Sequence, residues 1–140
     1  MITKIHLPIA PKPKPRGQIG KHGNMTHSIG KYRIWQKEFR RLLKTQSVKP
    51  ISLPIYAMLI DFGFSRSSRG RKPDLDNTRG AVQDALQKDK NNPIAYIKND
   101  SWINLPHCHD WGHFSDKSSI TIYFCQSKAE MMHCLDKYFD

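Results

Sequence analysis

The longest apolar stretch of this sequence runs from Ile51 to Phe64 and contains a single charged residue, Asp61. Such a run, followed by a serine- and arginine-rich stretch, predicts a strand in the middle of a sheet. It is too short for a membrane-spanning helix, which needs about 18 or more consecutive apolar residues. The sequence therefore predicts a fold built around one central strand, with no membrane partner.

Residue periodicity predicts the other elements. Apolar and polar side chains alternate in the strands, and apolar side chains recur every three or four residues in the helices. The predicted elements are strand 2–7, helix 31–46, the central strand 51–64, helix 75–87, strands 94–97 and 120–124, and helix 129–139. This β-α-β-α-β-β-α order predicts an α+β fold, with helices packed on a small mixed sheet. A chain of 140 residues suits one domain, which we place at residues 1–140.

Acidic residues cluster at the start of the second predicted helix, where Asp74 and Asp76 precede Asn77. The chain has only 12 acidic residues against 23 Lys and Arg, so this pairing is notable. Neighbouring carboxylates repel unless a cation neutralises them, and hard oxygen ligands suit Mg²⁺ or Mn²⁺. The predicted strand 94–97 would bring Asp100 beside them. The alternative interpretation is structural, since Asp is a favoured helix N-cap.

Basic residues lie on both sides of this cluster and give the chain a formal net charge of +11. The first 60 residues contain one acidic residue, Glu38. This distribution predicts a surface that binds the phosphates of DNA, and a generally basic soluble surface is the alternative. The predicted DNA-binding residues are Lys12, Lys14, Arg16, Arg69, Arg71 and Lys72.

The cysteines and the N-terminus predict a cytoplasmic protein. Cys108, Cys125 and Cys134 form no CxxC pair, and an odd number of cysteines favours free thiols in a reducing compartment. Prolines from Pro8 onward interrupt any apolar stretch long enough for a signal peptide.

The segment His107–His113 is rich in potential metal ligands, with three histidines, a cysteine and an aspartate. A structural zinc site needs four ligands in a tetrahedron, and the spacing here matches no zinc-binding pattern. We therefore interpret the segment as a loop or hairpin near the DNA. Trp102 and Trp111 are candidates for base stacking, with a place in the core or in a dimer interface as the alternative.

Three short motifs together resemble the RusA family of Holliday junction resolvases. They are Lys-Pro-Asp-Leu-Asp-Asn at 72–77, Asp-Ala-Leu at 84–86 and Asn-Asp-Ser at 99–101. The proline- and lysine-rich segment after the first strand is similar to that family too. The resemblance implies a small α+β homodimer that cuts four-way DNA junctions with Mg²⁺ or Mn²⁺ in recombination and repair. It places the essential aspartates at Asp74, Asp76 and Asp100.

Two positions depart from the family pattern. The resemblance implies a lysine four residues after Asp76, where this chain has Gly80, and an aspartate where it has Asn99. We therefore predict that activity is weak and that Arg79 serves as the catalytic cation, with Lys72 or Lys98 as the alternative source of the charge. The alternatives are a junction-binding protein without efficient turnover and a metal-dependent enzyme acting on RNA or a small phosphate ester.

Overall fold

The computed structural model describes residues 2–15, 27–51, 55–66, 74–87, 96–97 and 108–139. Three helices and four strands lie in these ranges. They are β1 (Thr3–Leu7), α1 (His27–Thr45), β2 (Ala57–Ser65), α2 (Leu75–Leu86), β3 (Cys108–Ser115), β4 (Ser119–Cys125) and α3 (Lys128–Tyr138). No helix in the described ranges is long and apolar enough to cross a membrane.

The strands form one mixed sheet in the order β1-β4-β2-β3. Strand β4 is antiparallel to both β1 and β2, whereas β2 and β3 are parallel. Strand β2 is central and almost wholly buried, which explains why its sequence is apolar on both faces. The fold is α+β, as the sequence predicts.

Helices cover both faces of this sheet. Ile60 and Phe62 of β2 belong to a large core that also contains buried side chains of α1 and α2. Leu59 belongs to a second, smaller core with Tyr123 of β4 and Cys134 of α3. Because side chains alternate along a strand, β2 and β3 present one set of residues to α1 and α2 and the other set to the face that carries α3.

Most of the predicted elements are confirmed, with shifts of a few residues at their ends. Helix α1 starts at His27, about one turn before the predicted start, and β2 starts at Ala57. The three cysteines are free thiols, as predicted.

The predicted strand at 94–97 is wrong where the structure describes it. Tyr96 and Ile97 form a bend, and both of their backbone N–H groups donate to the carbonyl oxygen of Leu86. These bonds tie the segment to the end of α2 and engage the donors that a sheet ladder would use. The rest of the prediction falls outside the described residues.

The loop or hairpin predicted for His107–His113 is also wrong from Cys108 onward. Residues Cys108–Ser115 form β3, which runs parallel to β2 and does not pair with β4, so the two form no hairpin. Gly112 lies close to Leu75 of α2 and Phe64 of β2. A Cβ at this position would lie 3.1 Å from each of these side chains, so glycine suits it. Pairing with a buried central strand outweighs the polar composition of the segment.

Candidate metal centre and nucleic-acid surface

Asp74 and Asp76 lie together at the exposed start of α2. Asp74 is the N-cap, and its carboxylate accepts a hydrogen bond of 3.0 Å from the backbone N–H of Asp76. The hydroxyl of Thr78 donates to the carbonyl oxygen of Asp74 at 2.9 Å, which closes the first turn. The side chain of Asp76 is 80% exposed. The capping interpretation is therefore correct for Asp74, whereas Asp76 is not the cap and lies in the first turn, where its charge interacts favourably with the helix dipole.

The donor set at this helix start fits a hard divalent cation. Two carboxylates separated by one residue offer oxygen ligands of the type that Mg²⁺ and Mn²⁺ take. The third predicted ligand, Asp100, lies outside the described residues. Within the described ranges, no group of three His, Cys, Asp or Glu side chains could hold a metal ion. Asp74 and Asp76 would therefore be two ligands of a site that needs a further ligand.

Arg79 lies one turn into the helix and reaches back toward this pair. Its Nη2 atom is 3.4 Å from Oδ1 of Asp76, and its Nη1 atom donates a hydrogen bond of 2.6 Å to Oδ2 of Asp110. The arginine side chain is 27% exposed. The predicted catalytic cation therefore bridges an exposed carboxylate and a buried one, rather than extending freely into solvent.

Sequence reasoning did not select Asp110, which lies on β3 beneath α2. Only 7% of its side chain is exposed, and its register partner is the core residue Ile60. Burial raises the pKa of the Asp110 carboxyl to about 6, although the nearby Arg79 guanidinium lowers it. The alternation of side chains along a strand places Asp110 and Gly112 on one face. The histidines that flank these two residues, His109 and His113, favoured a loop instead.

Gly80 lies under the side chain of Lys14. The backbone N–H of Lys14 donates to the carbonyl oxygen of Asn77 at 3.1 Å, and its ammonium group is 2.9 Å from Asp84. A Cβ placed at Gly80 would be in ordinary contact with Cδ of Lys14, at 3.8 Å. A lysine from a different part of the chain therefore crosses α2 at the position where this sequence lacks a side chain.

Hydrogen bonds hold the segment 8–15, which we call the Pro-Lys segment, against α1 and α2. The indole N–H of Trp35 donates to the carbonyl oxygen of Ala10 at 2.7 Å. The hydroxyl of Tyr32 donates to Asp84 at 3.2 Å, and burial together with that carboxylate raises the pKa of Tyr32. The segment thus places Lys14 against α2, whereas Lys12 lies in a groove beside Lys31 and Trp35 of α1.

The described residues include two of the six predicted DNA-binding residues, Lys12 and Lys14. Arg16, Arg69, Arg71 and Lys72 all lie outside the described residues.

The histidines of β3 do not converge on a common centre. His113 pairs through Nδ1 with Asp61 at 2.9 Å, on the face opposite Asp110. The ring of His109 lies against Trp111, which in turn packs on Phe139 with ring centroids 4.0 Å apart. Trp111 therefore packs against the core under α3, in agreement with the core interpretation of this residue and not with base stacking.

The fold and the site define a small α+β protein with an exposed carboxylate pair and a basic segment at the start of one helix. The family model described as "Endodeoxyribonuclease RusA" matches residues 8–123 of the 140-residue chain, and the chain belongs to that family. This is a family of endodeoxyribonucleases whose general activity is Holliday junction resolution. The matched range contains the Pro-Lys segment, all of α2 and all of β3. No curated protein matches the chain.

Proposed function

We propose that this protein is a Mg²⁺- or Mn²⁺-dependent endonuclease that cuts four-way junctions and other branched DNA in recombination and repair, in the cytoplasm. The observation that carries the proposal is the exposed carboxylate pair of Asp74 and Asp76 beside Arg79, inside the range matched by a nuclease family. The basic Pro-Lys segment next to the pair supports a polyanionic substrate.

In this proposal Asp74, Asp76 and Asp100 hold the metal. When bound, the metal would polarise the scissile phosphate and lower the pKa of an attacking water. Arg79 adds a fixed positive charge beside Asp76, where negative charge develops on the phosphate oxygens as the bond breaks. The cations of the Pro-Lys segment bind the DNA backbone and carry no base specificity.

The central experiment measures junction binding and junction cleavage on the same preparations of Asp74→Asn, Asp76→Asn and Asp100→Asn. Each change removes a metal ligand and leaves the basic surface intact, so we expect cleavage to be lost and binding to be retained. Asp61→Asn is the matched control, since Asp61 lies on the other face of the sheet. Retained cleavage in any of the three variants would remove that residue from the proposed site.

The basic surface is tested through the salt dependence of junction binding. If about six phosphates are neutralised, the slope of log K against log salt should be roughly −5. Charge reversal at Lys12, Lys14 and Arg16 together should flatten this slope. An unchanged slope would place the DNA-binding surface elsewhere.

We also propose that the active form is a homodimer. A four-way junction has two-fold symmetry, and two symmetric cuts require two sites related by the same axis. Light scattering at micromolar concentration, read together with cleavage of the same sample, tests this proposal. An active monomer would contradict it.

Gly80 supports a second candidate function, a junction-binding protein with slow turnover. A side chain at this position, four residues after Asp76, would lie on the same side of the helix. Glycine cannot contribute a charge there, and the ammonium group of Lys14 is engaged by Asp84. Single-turnover rates should therefore rise in Gly80→Lys and stay unchanged in the control Gly80→Ala. A rate that is unchanged in Gly80→Lys would show that no charge is missing.

A further inference from the structure

Asp110 is an unusual residue for its position. Strand β3 presents it to the face of the sheet that carries α1 and α2, where its register partner Ile60 belongs to the large apolar core. Its side chain is more than nine-tenths buried, and within the described part of the chain its Oδ1 atom has no hydrogen-bond partner. A buried carboxylate is costly unless it is paired, so this residue needs an explanation.

Its partner among the described residues is Arg79, and fold stability alone does not account for the pair. Replacing a buried ion pair by apolar side chains of similar volume is often neutral or stabilising. The contacts of this carboxylate point to a second role, which is to fix the position of the charged group that it holds. Here that group is a two-pronged guanidinium, with Nη1 on Asp110 and Nη2 toward Asp76.

Without Asp110, the position of Arg79 would be weakly determined. Within the described residues its other ion pair is with an exposed side chain three residues earlier on the same helix, at 3.4 Å. Exposed pairs of this kind hold a long side chain poorly, because the attraction is screened and the rotamer entropy is lost. The 2.6 Å hydrogen bond to Asp110 is therefore the contact that fixes the guanidinium.

We propose that Asp110 is a positioning residue that anchors Arg79 beside the carboxylate pair, so that the guanidinium stays close to Asp76 without replacing the metal there. This inference rests on the proposed function, because it assigns Asp76 to the metal. It adds a residue from β3 to a site that the sequence places on α2 and at Asp100.

The first test measures Mn²⁺ binding in the absence of DNA, from the electron paramagnetic resonance signal of the free ion. In Asp110→Asn the anchor loses its charge, so the guanidinium is no longer held away from Asp76 and competes with Mn²⁺ for that carboxylate; Mn²⁺ binding should weaken about tenfold. In the double variant Asp110→Asn/Arg79→Gln the competing cation is gone, so binding should return to the wild-type value. Wild-type binding in Asp110→Asn, or a double variant as weak as the single, would overturn the proposal.

The second test measures kcat and KM on a fixed four-way junction. We expect kcat to fall about tenfold or more in Asp110→Asn, with KM unchanged, and to stay low in the double variant. Asp61→Asn, on the same pair of strands but on the opposite face, should keep the wild-type kcat. An equal loss in Asp61→Asn would show that kcat responds to general disturbance of the sheet, and would overturn the positioning role.

Arg79→Lys keeps the proposal testable if Asp110→Asn does not fold. Lysine preserves the positive charge beneath α2 but lacks the planar fork that spans two carboxylates, so kcat should fall to the same extent. A wild-type kcat in Arg79→Lys would overturn the inference. The Mn²⁺ measurement needs no cleavage, so it separates failure of this inference from failure of the proposed nuclease activity.

Discussion

Strands β2 and β3 each carry one carboxylate that pairs with a basic side chain, and the two pairs lie on opposite faces of the sheet. On the face of α1 and α2, Asp110 meets Arg79 at 2.6 Å, with 7% and 27% of the two side chains exposed. On the opposite face, Asp61 meets His113 at 2.9 Å, with 31% and 48% exposed. The distances are similar, so the pairs differ in their access to water and in their base, since a guanidinium is always charged and an imidazole is charged only when protonated.

This difference decides what each pair contributes. Water screens the attraction between exposed charges and solvates either one when its partner is removed. A buried carboxylate has little access to water, so losing its cation leaves the full cost of its desolvation. The buried pair should therefore constrain both stability and geometry, whereas the exposed pair should constrain neither strongly.

The largest expected effect is on the free energy of unfolding, when the basic partner is removed from the buried pair. Arg79→Ala leaves the Asp110 carboxylate buried without a counter-charge, and the free energy of unfolding should fall by about 3 kcal/mol or more. His113→Ala removes a half-exposed partner and should cost less than about 1 kcal/mol. Urea unfolding of both variants at pH 7 measures the difference. Equal losses would show that burial does not distinguish the two pairs.

A smaller effect is expected from pH. The pKa of Asp110 is raised to about 6, above the value of an unfolded chain, so the folded state binds the proton more tightly. Its contribution to the free energy of unfolding should therefore increase as the pH falls from about 6 to about 4, by roughly 2–3 kcal/mol. The measurement is the difference in unfolding free energy between wild type and Asp110→Asn at each pH. A difference that does not change between pH 4 and 7 would contradict the raised pKa.

The sequence predicts the part of the site that lies on α2 and misses the part that lies on β3. The acidic cluster of α2 is visible because Asp74 and Asp76 are close in sequence, and helical periodicity places Arg79 on the next turn. Asp110 lies 31 residues beyond Arg79, and their contact depends on the parallel pairing of β2 and β3. A local pattern contains no information about which strand lies under a helix.

The third strand illustrates the same limit in the fold. The predicted order of elements is correct, but the strand between α2 and β4 is Cys108–Ser115 rather than 94–97. Residues 94–97 are Ile-Ala-Tyr-Ile, an apolar set that favours a strand by composition. Tyr96 and Ile97 are indeed buried, but as a bend packed at the end of α2. Their apolar side chains account for their burial, but the strand predicted from the same composition is wrong for these two residues.

A substitution of Gly80 in α2 is expected to change the free energy of unfolding by about 1 kcal/mol. The residue is helical, and a Cβ there would meet Lys14 at an ordinary contact distance of 3.8 Å. Gly80→Ala should therefore stabilise the protein by about 1 kcal/mol, because alanine has the higher helix propensity. Thermal unfolding checks this, and the gain should persist in Lys14→Met. A destabilised Gly80→Ala would mean that the Pro-Lys segment needs closer contact with the helix than a methyl group allows.

The smallest expected effect is at the ion pair that holds the Pro-Lys segment. Lys14 and Asp84 lie 2.9 Å apart, but their side chains are 52% and 30% exposed, which is closer to the Asp61 pair than to the Asp110 pair. Lys14→Met keeps the aliphatic stem over Gly80 and should lower the free energy of unfolding by no more than about 0.5 kcal/mol. Asp84→Ala should cost more, because it also removes the acceptor of the hydrogen bond from the Tyr32 hydroxyl. Urea unfolding of the two variants tests this order, and a Lys14→Met loss as large as that of Arg79→Ala would show that exposure alone does not rank the ion pairs of this protein.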